Sequence, residues 1–488
     1  MKLVTLTFLV SGLMLGGIAN AQDDLQAKGE AVITKSCVMC HDTSMTPSFV
    51  DEAGVIDSAA IKANAAKIST RVSSTTRPMP PKSSPAFLQP TAQEKADLLA
   101  YMASLLVTTP VTPPATEIVP LSKLTVEPGF KIEVFAKATG ARSLAVHSSG
   151  IVFAGTGGFS NVDPQGRVHA IVPTASGNKT VALATGLNNP NGIALNGNDL
   201  YVAESSRILL IKNAVATAQS LAAGSVVKAK ISVIKSDLRE QSNHHWKYLA
   251  IGPDNKLYVP VGADCNVCAE DREVGASIFR MNLDGTGWEQ VSKGVRNTVG
   301  IAFHPVTGQL WFTDNGRDSL GDGLPADELN VAVNTTAIQD FGFPYCFGNS
   351  VVDPTFGKNF TCSEAQFTKP AVELGAHVAA LGMDFYTGTT FPAKYDNAIF
   401  IAEHGSWNSS KKVGYRLSIV EPKTSATTGK TTYSYRPFIS GFATATTNWG
   451  RPVDVKNYID GSLLLSDDAS GLIYKISPVA TVPANTTR

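Results

Sequence analysis

Between Ser122 and Pro478 one phrase recurs along the chain. A Gly, Asn or Asp turn is followed by four or five mostly apolar residues. It is seen at Ser149-Gly150-Ile151-Val152-Phe153-Ala154, at Gly197-Asn198-Asp199-Leu200-Tyr201-Val202 and at Asp254-Asn255-Lys256-Leu257-Tyr258-Val259. It returns at Thr307-Gly308-Gln309-Leu310-Trp311-Phe312, Asp396-Asn397-Ala398-Ile399-Phe400-Ile401 and Asp460-Gly461-Ser462-Leu463-Leu464-Leu465. Short apolar runs bounded by turn residues predict strands. Repeats of this length built from hairpins predict a β-propeller, one sheet per repeat around a central channel. Six occurrences predict six blades. A pair of β-sandwiches is the alternative, but it leaves the recurrence of one phrase across the whole region unexplained.

The pattern before residue 107 is helical. Asp23 to Ser36 reads as one helix. Leu98, Leu99, Met102 and Leu105 recur at helical spacing and predict a second, opened by a capping box at Thr91-Ala92-Gln93-Glu94. Residues 22–106 therefore read as one small all-α domain. Val107 to Pro120 holds four prolines and several threonines, so 107–121 reads as a semi-rigid linker. The propeller then occupies 122–478, with a tail at 479–488. The fold class expected is multidomain, a small all-α domain followed by an all-β six-bladed propeller.

At the start, Lys2, the apolar run Leu3 to Ile18 and the small-x-small Ala19-Asn20-Ala21 have the form of a cleaved signal peptide over 1–21. An uncleaved N-terminal anchor is the rival reading. No later run reaches about 18 uninterrupted apolar residues, so no transmembrane segment is expected. The mature chain is expected to be periplasmic or secreted. Lysine plus arginine balance aspartate plus glutamate at 41 each, which gives no field for nucleic acid or anionic lipid.

Candidate chemistry begins at Cys37-Val38-Met39-Cys40-His41. Two cysteines two residues apart, with histidine next, have the form of a c-type haem attachment site. The thiols of Cys37 and Cys40 would hold one covalent haem c and His41 would be its proximal iron ligand. Zinc and a redox disulfide are the alternatives for a bare Cys-x-x-Cys. Met79, in Arg77-Pro78-Met79-Pro80-Pro81, resembles the distal-ligand loop of class I cytochromes c, and such thioether ligation raises the haem potential. Met39 and Met102 compete with it and are read as packing. In an oxidising compartment the other four cysteines pair most simply as Cys265–Cys268 and Cys346–Cys362. Half a zinc site at Cys265 and Cys268 finds no second half in the sequence.

Within the propeller several loops carry more polar residues than a turn needs. They are Asn243-His244-His245-Trp246-Lys247, Arg296-Asn297-Thr298, Asp314-Asn315-Gly316-Arg317-Asp318 with Asp327-Glu328, His404-Gly405-Ser406-Trp407-Asn408, and Gly450-Arg451-Pro452. Together they offer a base, fixed cations and oxygen ligands for a hard cation such as calcium.

Residues from Ser122 onward, about three-quarters of the chain, resemble the soluble quinoprotein sugar dehydrogenases, most closely the L-sorbosone and pyranose dehydrogenase branch. The matching phrases are His244 ahead of Leu249-Ala250-Ile251-Gly252-Pro253-Asp254, Gly294-Val295-Arg296-Asn297, Phe341-Gly342-Phe343-Pro344-Tyr345, Phe385 to Pro392, and His404-Gly405-Ser406-Trp407-Asn408. The resemblance implies a six-bladed propeller that binds pyrroloquinoline quinone (PQQ) and calcium. It implies His244 as the general base for a sugar hydroxyl, a neutral imidazole near its ordinary pKa. It implies Arg296 as the cation at the quinone carbonyl, with Asn297 its cofactor-contacting neighbour. Gly316 and Arg317 would bind calcium through backbone carbonyls, Arg451 would pair with a quinone carboxylate, and His404 and Trp407 would contact the cofactor.

Departures from the family pattern fall in the pocket. The aspartate that orients the base aligns with Ala263, one place before Asp264. Pro-Gln after Arg-Asn is Thr298-Val299, and the arginine after Trp-Asn is Ser409, leaving Lys411 or Lys412 to supply a cation. The expected function is an exported quinohaemoprotein dehydrogenase that oxidises an aldose or related aldehyde or hydroxy compound. Its electrons would pass through the haem to an external acceptor, a cytochrome or the quinone pool. A calcium-dependent, lactonase-like propeller hydrolase and a non-catalytic electron-transfer or binding protein are the alternatives.

Overall fold

The structure is a computed structural model. It describes residues 89–106 and 120–479, except 158–165, 240–242, 270 and 334–336, together with a few helical positions between 28 and 72. The chain divides into two compact units, Met1–Glu117 and Ile118–Arg488. Among the described residues no helix is long and apolar enough to cross a membrane.

In the first unit, helix α1 spans Ala92–Leu106. Its start is the capping box read from the sequence. The Glu94 backbone N–H donates to Thr91 Oγ1 at 3.2 Å, and the Thr91 N–H donates to Glu94 Oε2 at 2.7 Å. Leu98, Tyr101 and Met102 bury their side chains against Val32, Ile33, Ile61 and Ile68. Met102 is thus a packing residue, as its place on the helix face implied. The signal peptide, Cys37, Cys40, His41, Met79 and most of the linker lie outside the described residues.

The second unit is a ring of six sheets, each built on four antiparallel strands. In each, the recurring phrase supplies the second strand. These strands are Val152–Thr156, Asp199–Ala203, Lys256–Val261, Leu310–Asp314, Ile399–Glu403 and Leu463–Asp467. The turn ahead of each places one Gly or Asn at positive φ: Gly150, Gly197, Asn255, Gly308, Asn397 and Gly461. That conformation suits Gly and Asn and penalises other side chains, so the turn chemistry sets the start of every second strand. The six-bladed propeller expected from the repeat is the observed fold.

The ring closes through a strand that no phrase announced. Phe130–Lys137 pairs antiparallel with Leu472–Pro478, so blade 6 takes its outermost strand from the start of the domain. Phe130 seats this strand in an aromatic cluster, with ring centroids 4.6 Å from Phe391 and 4.9 Å from Phe438. Both disulfides expected from the sequence are formed, Cys265–Cys268 and Cys346–Cys362. The second ties the segment 339–369, which is inserted between the third and fourth strands of blade 4.

Candidate functional site

Strand alternation fixes where chemistry gathers. Loops after the second strand of a blade and connectors entering the next blade emerge at the same end of the ring. His244 lies in the connector to blade 3, Arg296 in that to blade 4 and Arg451 in that to blade 6. A repeated device aims these connectors. Asp314 closes the second strand of blade 4 and accepts the Arg296 and Asn297 N–H groups at 2.8 and 2.6 Å. Asp467 closes the second strand of blade 6 and accepts the Arg451 N–H at 2.9 Å. Both carboxylates are buried, and burial pushes Asp314 up to about 8 and Asp467 up to about 6.

The loops enclose a cavity of about 640 Å³ whose lining includes Arg142, His244, Arg296, His377, His404 and Arg451. That volume suits a small-molecule ligand. A second depression of about 670 Å³, between Asp322, Lys412 and Ala443, carries Lys412 but no other residue predicted for the site.

His244 is held in an uncommon backbone conformation, φ +47°. Its Nδ1 lies 2.7 Å from the Ala263 carbonyl oxygen. A carbonyl only accepts, so Nδ1 carries the proton and Nε2 keeps its lone pair. Burial first, and the charge of Arg296 second, pull this imidazole down to about 3. His244 is therefore neutral, as expected, but far below its ordinary pKa rather than near it. The carboxylate of Asp264 does not orient it; Asp264 engages Arg239 and the Asn243 N–H, each at 3.4 Å. The Ala263 carbonyl performs that role. Close approach requires glycine at 262, since a Cβ there would lie 2.7 Å from His244 Cβ.

Arg296 is buried and saturated by oxygen. Its Nε donates to Asn266 O at 2.7 Å, and Nη1 donates to Asn315 O at 3.1 Å and Gly316 O at 2.8 Å. Nη2 donates to Asn266 Oδ1 at 3.0 Å and approaches Asp318 Oδ2 at 3.4 Å. These carbonyl and carboxylate oxygens form the donor set that a hard cation takes. Among the described residues no cluster of three or more His, Cys, Asp or Glu is arranged to hold a metal. The Asn315 and Gly316 carbonyl oxygens and the Asp318 carboxylate gather around the Arg296 guanidinium. Of the pair expected to offer backbone carbonyls, Gly316 lines the cavity, and the Arg317 guanidinium pairs with Asp353 at 2.6 Å.

Blades 1, 5 and 6 supply the second group. His404 Nε2 lies 2.9 Å from Asp468 Oδ1, and Arg142 Nη1 lies 2.5 Å from Asp468 Oδ2. Burial and the neighbouring arginines pull His404 down to about 4, against the pull of Asp468. Burial raises the Asp468 carboxyl, but His404, Arg142 and Arg451 outweigh it and hold it below the usual carboxylate range. Arg142 also donates to Asn191 Oδ1 at 2.6 Å and stacks over Trp246 at 5.4 Å. Arg451 donates to the His404 and Gly405 carbonyls, both at 3.1 Å. Among the described residues Arg142 Nη2 and Arg451 Nη1 have no protein acceptor, so two guanidinium groups have donors to offer a ligand. Lys411 and Lys412 do not line the cavity. Lys412 instead contacts Tyr415 at 3.4 Å, and Arg451 lies 5.7 Å from the same ring. Trp407 is 75% exposed at the rim, so its indole is open to whatever enters.

The structure brings together His244, Arg296, Asn297, Gly316, His404, Trp407 and Arg451, and leaves Arg317 outside. Sequence reasoning did not single out Arg142, Asn191, Asn266, His377 or Asp468. Arg142, Asn266 and His377 line the cavity, Asn191 and Asp468 hold Arg142 from behind, and each pairing is made with a residue distant in sequence.

The model of the TrAA12-like family matches residues 124–479. An uncharacterised protein of Borreliella burgdorferi is 35% identical over 362 residues, covering 73% of this chain and 91% of that protein. Among solved structures, a Trichoderma reesei enzyme of carbohydrate-active family AA12 superposes with a TM-score of 0.61 at 18% identity. It covers 73% of this chain and 98% of its own. The holo PQQ domain of pyranose dehydrogenase from Coprinopsis cinerea superposes with a TM-score of 0.58 at 20% identity, covering 72% and 97%. These structures share the fold, and the family match runs through all six blades from the closing strand to the last: the chain belongs to the TrAA12-like family.

Proposed function

We propose that the chain is an exported quinohaemoprotein dehydrogenase that oxidises an aldose sugar or a related aldehyde or hydroxy compound. The observation that carries this reading is His244: a neutral imidazole, tautomer fixed by Ala263, its Nε2 lone pair available in a cavity that also holds Arg296. The residues fit PQQ and calcium. Arg142 and Arg451 have free donors for carboxylates, and calcium would take the oxygens of Asn315, Gly316 and Asp318 in place of the Arg296 guanidinium that holds them here, which would free Arg296 donors for a ligand. PQQ, when bound, supplies a two-electron acceptor. His244 Nε2 takes the proton of the substrate hydroxyl, and Arg296 stabilises negative charge that develops beside it. Support for this cofactor includes the PQQ named for the pyranose dehydrogenase domain. Cys37, Cys40, His41 and Met79 would hold the haem c that carries electrons singly to an external cytochrome or quinone.

The test is anaerobic and optical. Purified haem-loaded protein receives PQQ and calcium, then a panel of aldoses and aldehydes, while the haem α-band is followed. Reduction that needs both quinone and sugar, and disappears in His244→Ala, is the expected result. Quinone binding without haem reduction by any sugar would reject the substrate class. Failure to bind quinone would reject the dehydrogenase.

A further inference from the structure

His244 and Arg296, which both line the cavity, share partners in one short loop. Following the second strand of blade 3, the loop carries Ala263, Cys265, Asn266 and Cys268. The Ala263 peptide bridges the pair, its N–H donating to Arg296 O at 2.8 Å and its carbonyl accepting from His244 Nδ1 at 2.7 Å. Asn266 gives Arg296 two acceptors, O at 2.7 Å and Oδ1 at 3.0 Å. The same Oδ1 accepts the Asp318 N–H at 2.8 Å. The Cys265–Cys268 disulfide closes a ring around Asn266. Behind it, Cys265 and Val267 pack on Ala263, Ala276, Phe343 and Phe347. The loop thus has an apolar back and a polar front, and the front meets the site.

The two disulfides differ in what they can do. Cys346–Cys362 spans a separation of 16 residues and its cysteines are 3% and 2% exposed. Cys265–Cys268 spans a separation of 3, too short to restrict the unfolded chain much, so its effect is local. Its cysteines are only partly buried, within reach of a small reductant.

We propose that the Cys265–Cys268 bridge is a positioning element of the site, holding Asn266 on Arg296 and Ala263 on His244, and that its reduction releases both. In that step an external dithiol is oxidised to its own disulfide. The Cys265–Cys268 S–S bond breaks, and the two sulfurs take up the protons the dithiol gives. The kinetic part of this inference rests on the dehydrogenase reading; the structural part does not.

The experiment uses the full protein, dithiothreitol, and ¹⁵N-histidine NMR beside turnover. Alkylation and mass mapping under mild reduction should label Cys265 and Cys268 while Cys346 and Cys362 stay protected. The His244 resonances should change from the single Nδ1-protonated tautomer to a mixture. With sugar and quinone present, kcat should fall about tenfold or more with KM little changed, and reoxidation should restore it. Asn266→Asp, which keeps an acceptor for Arg296, should retain more activity than Asn266→Ala. Full reduction of Cys265–Cys268 with the His244 tautomer and kcat unchanged would overturn the proposal. A tautomer change in a protein that oxidises no sugar would leave the positioning role standing and reject the dehydrogenase instead.

Discussion

His244 and His404 line the same cavity, and the chain holds them by different means. His244 gives its Nδ1 proton to a neutral backbone carbonyl, on a connector in a strained conformation. His404 turns Nε2 toward a carboxylate that is already shared with Arg142. A histidine on a carbonyl has no counter-ion, so protonation at Nε2 is opposed by burial and by Arg296. A histidine on Asp468 belongs to a buried charge network whose loss is felt by the whole ring. The first arrangement suits a group that takes a proton only while substrate is present; the second suits a fixed wall.

The comparison breaks if the two histidines prove interchangeable. His244→Ala should lower kcat by about 10²–10⁴ with the fold intact, while quinone binding measured by absorbance persists. Asp468→Asn should instead cost stability, about 3–5 kcal/mol in denaturant unfolding, because Arg142 would be left buried without its partner. The pH sign follows from the depressed Asp468 carboxyl. Its contribution is complete above the unfolded value of about 4 and is lost as pH falls below that. Gly262→Ala tests the approach of His244 to Ala263. The added Cβ, 2.7 Å from His244 Cβ, should displace the ring and cost about tenfold in kcat, with little change in KM. The smallest effect concerns pH and rate. With His244 held down to about 3, kcat/KM should show no acid limb near pH 6.5, and a limb there that persists in a variant lacking His244 would identify some other base.

The fold was legible because every blade repeats one turn chemistry ahead of its second strand. Positive φ at Gly150 or Asn397 leaves a mark in composition that a reader can count. Inner strands such as Gly300–Phe303 and the closing strand Phe130–Lys137 leave no such mark, since they are defined by partners distant in sequence. The site divides the same way. His244, Arg296 and His404 sit in phrases that resemble a family, so they were found. Asp468 and Arg142 pair across 326 residues, and nothing local to either announces the other. The group that orients His244 was illegible for a different reason: at Ala263 the backbone does what a side chain was expected to do, and a carbonyl has no letter in the sequence.

The strand Phe130–Lys137, paired with Leu472–Pro478, sets a schedule for synthesis. A chain made from its N-terminus places the outer strand of blade 6 first and its three partners last. Five blades can assemble while that strand waits, but the ring cannot shut until the final strand is delivered. Loop-closure entropy over such a separation makes this the slow, cooperative event. Until then the unpaired edge of Phe130–Lys137 is open to wrong partners. A stop codon a few residues before Leu472 would therefore leave no shorter working ring, only an open one.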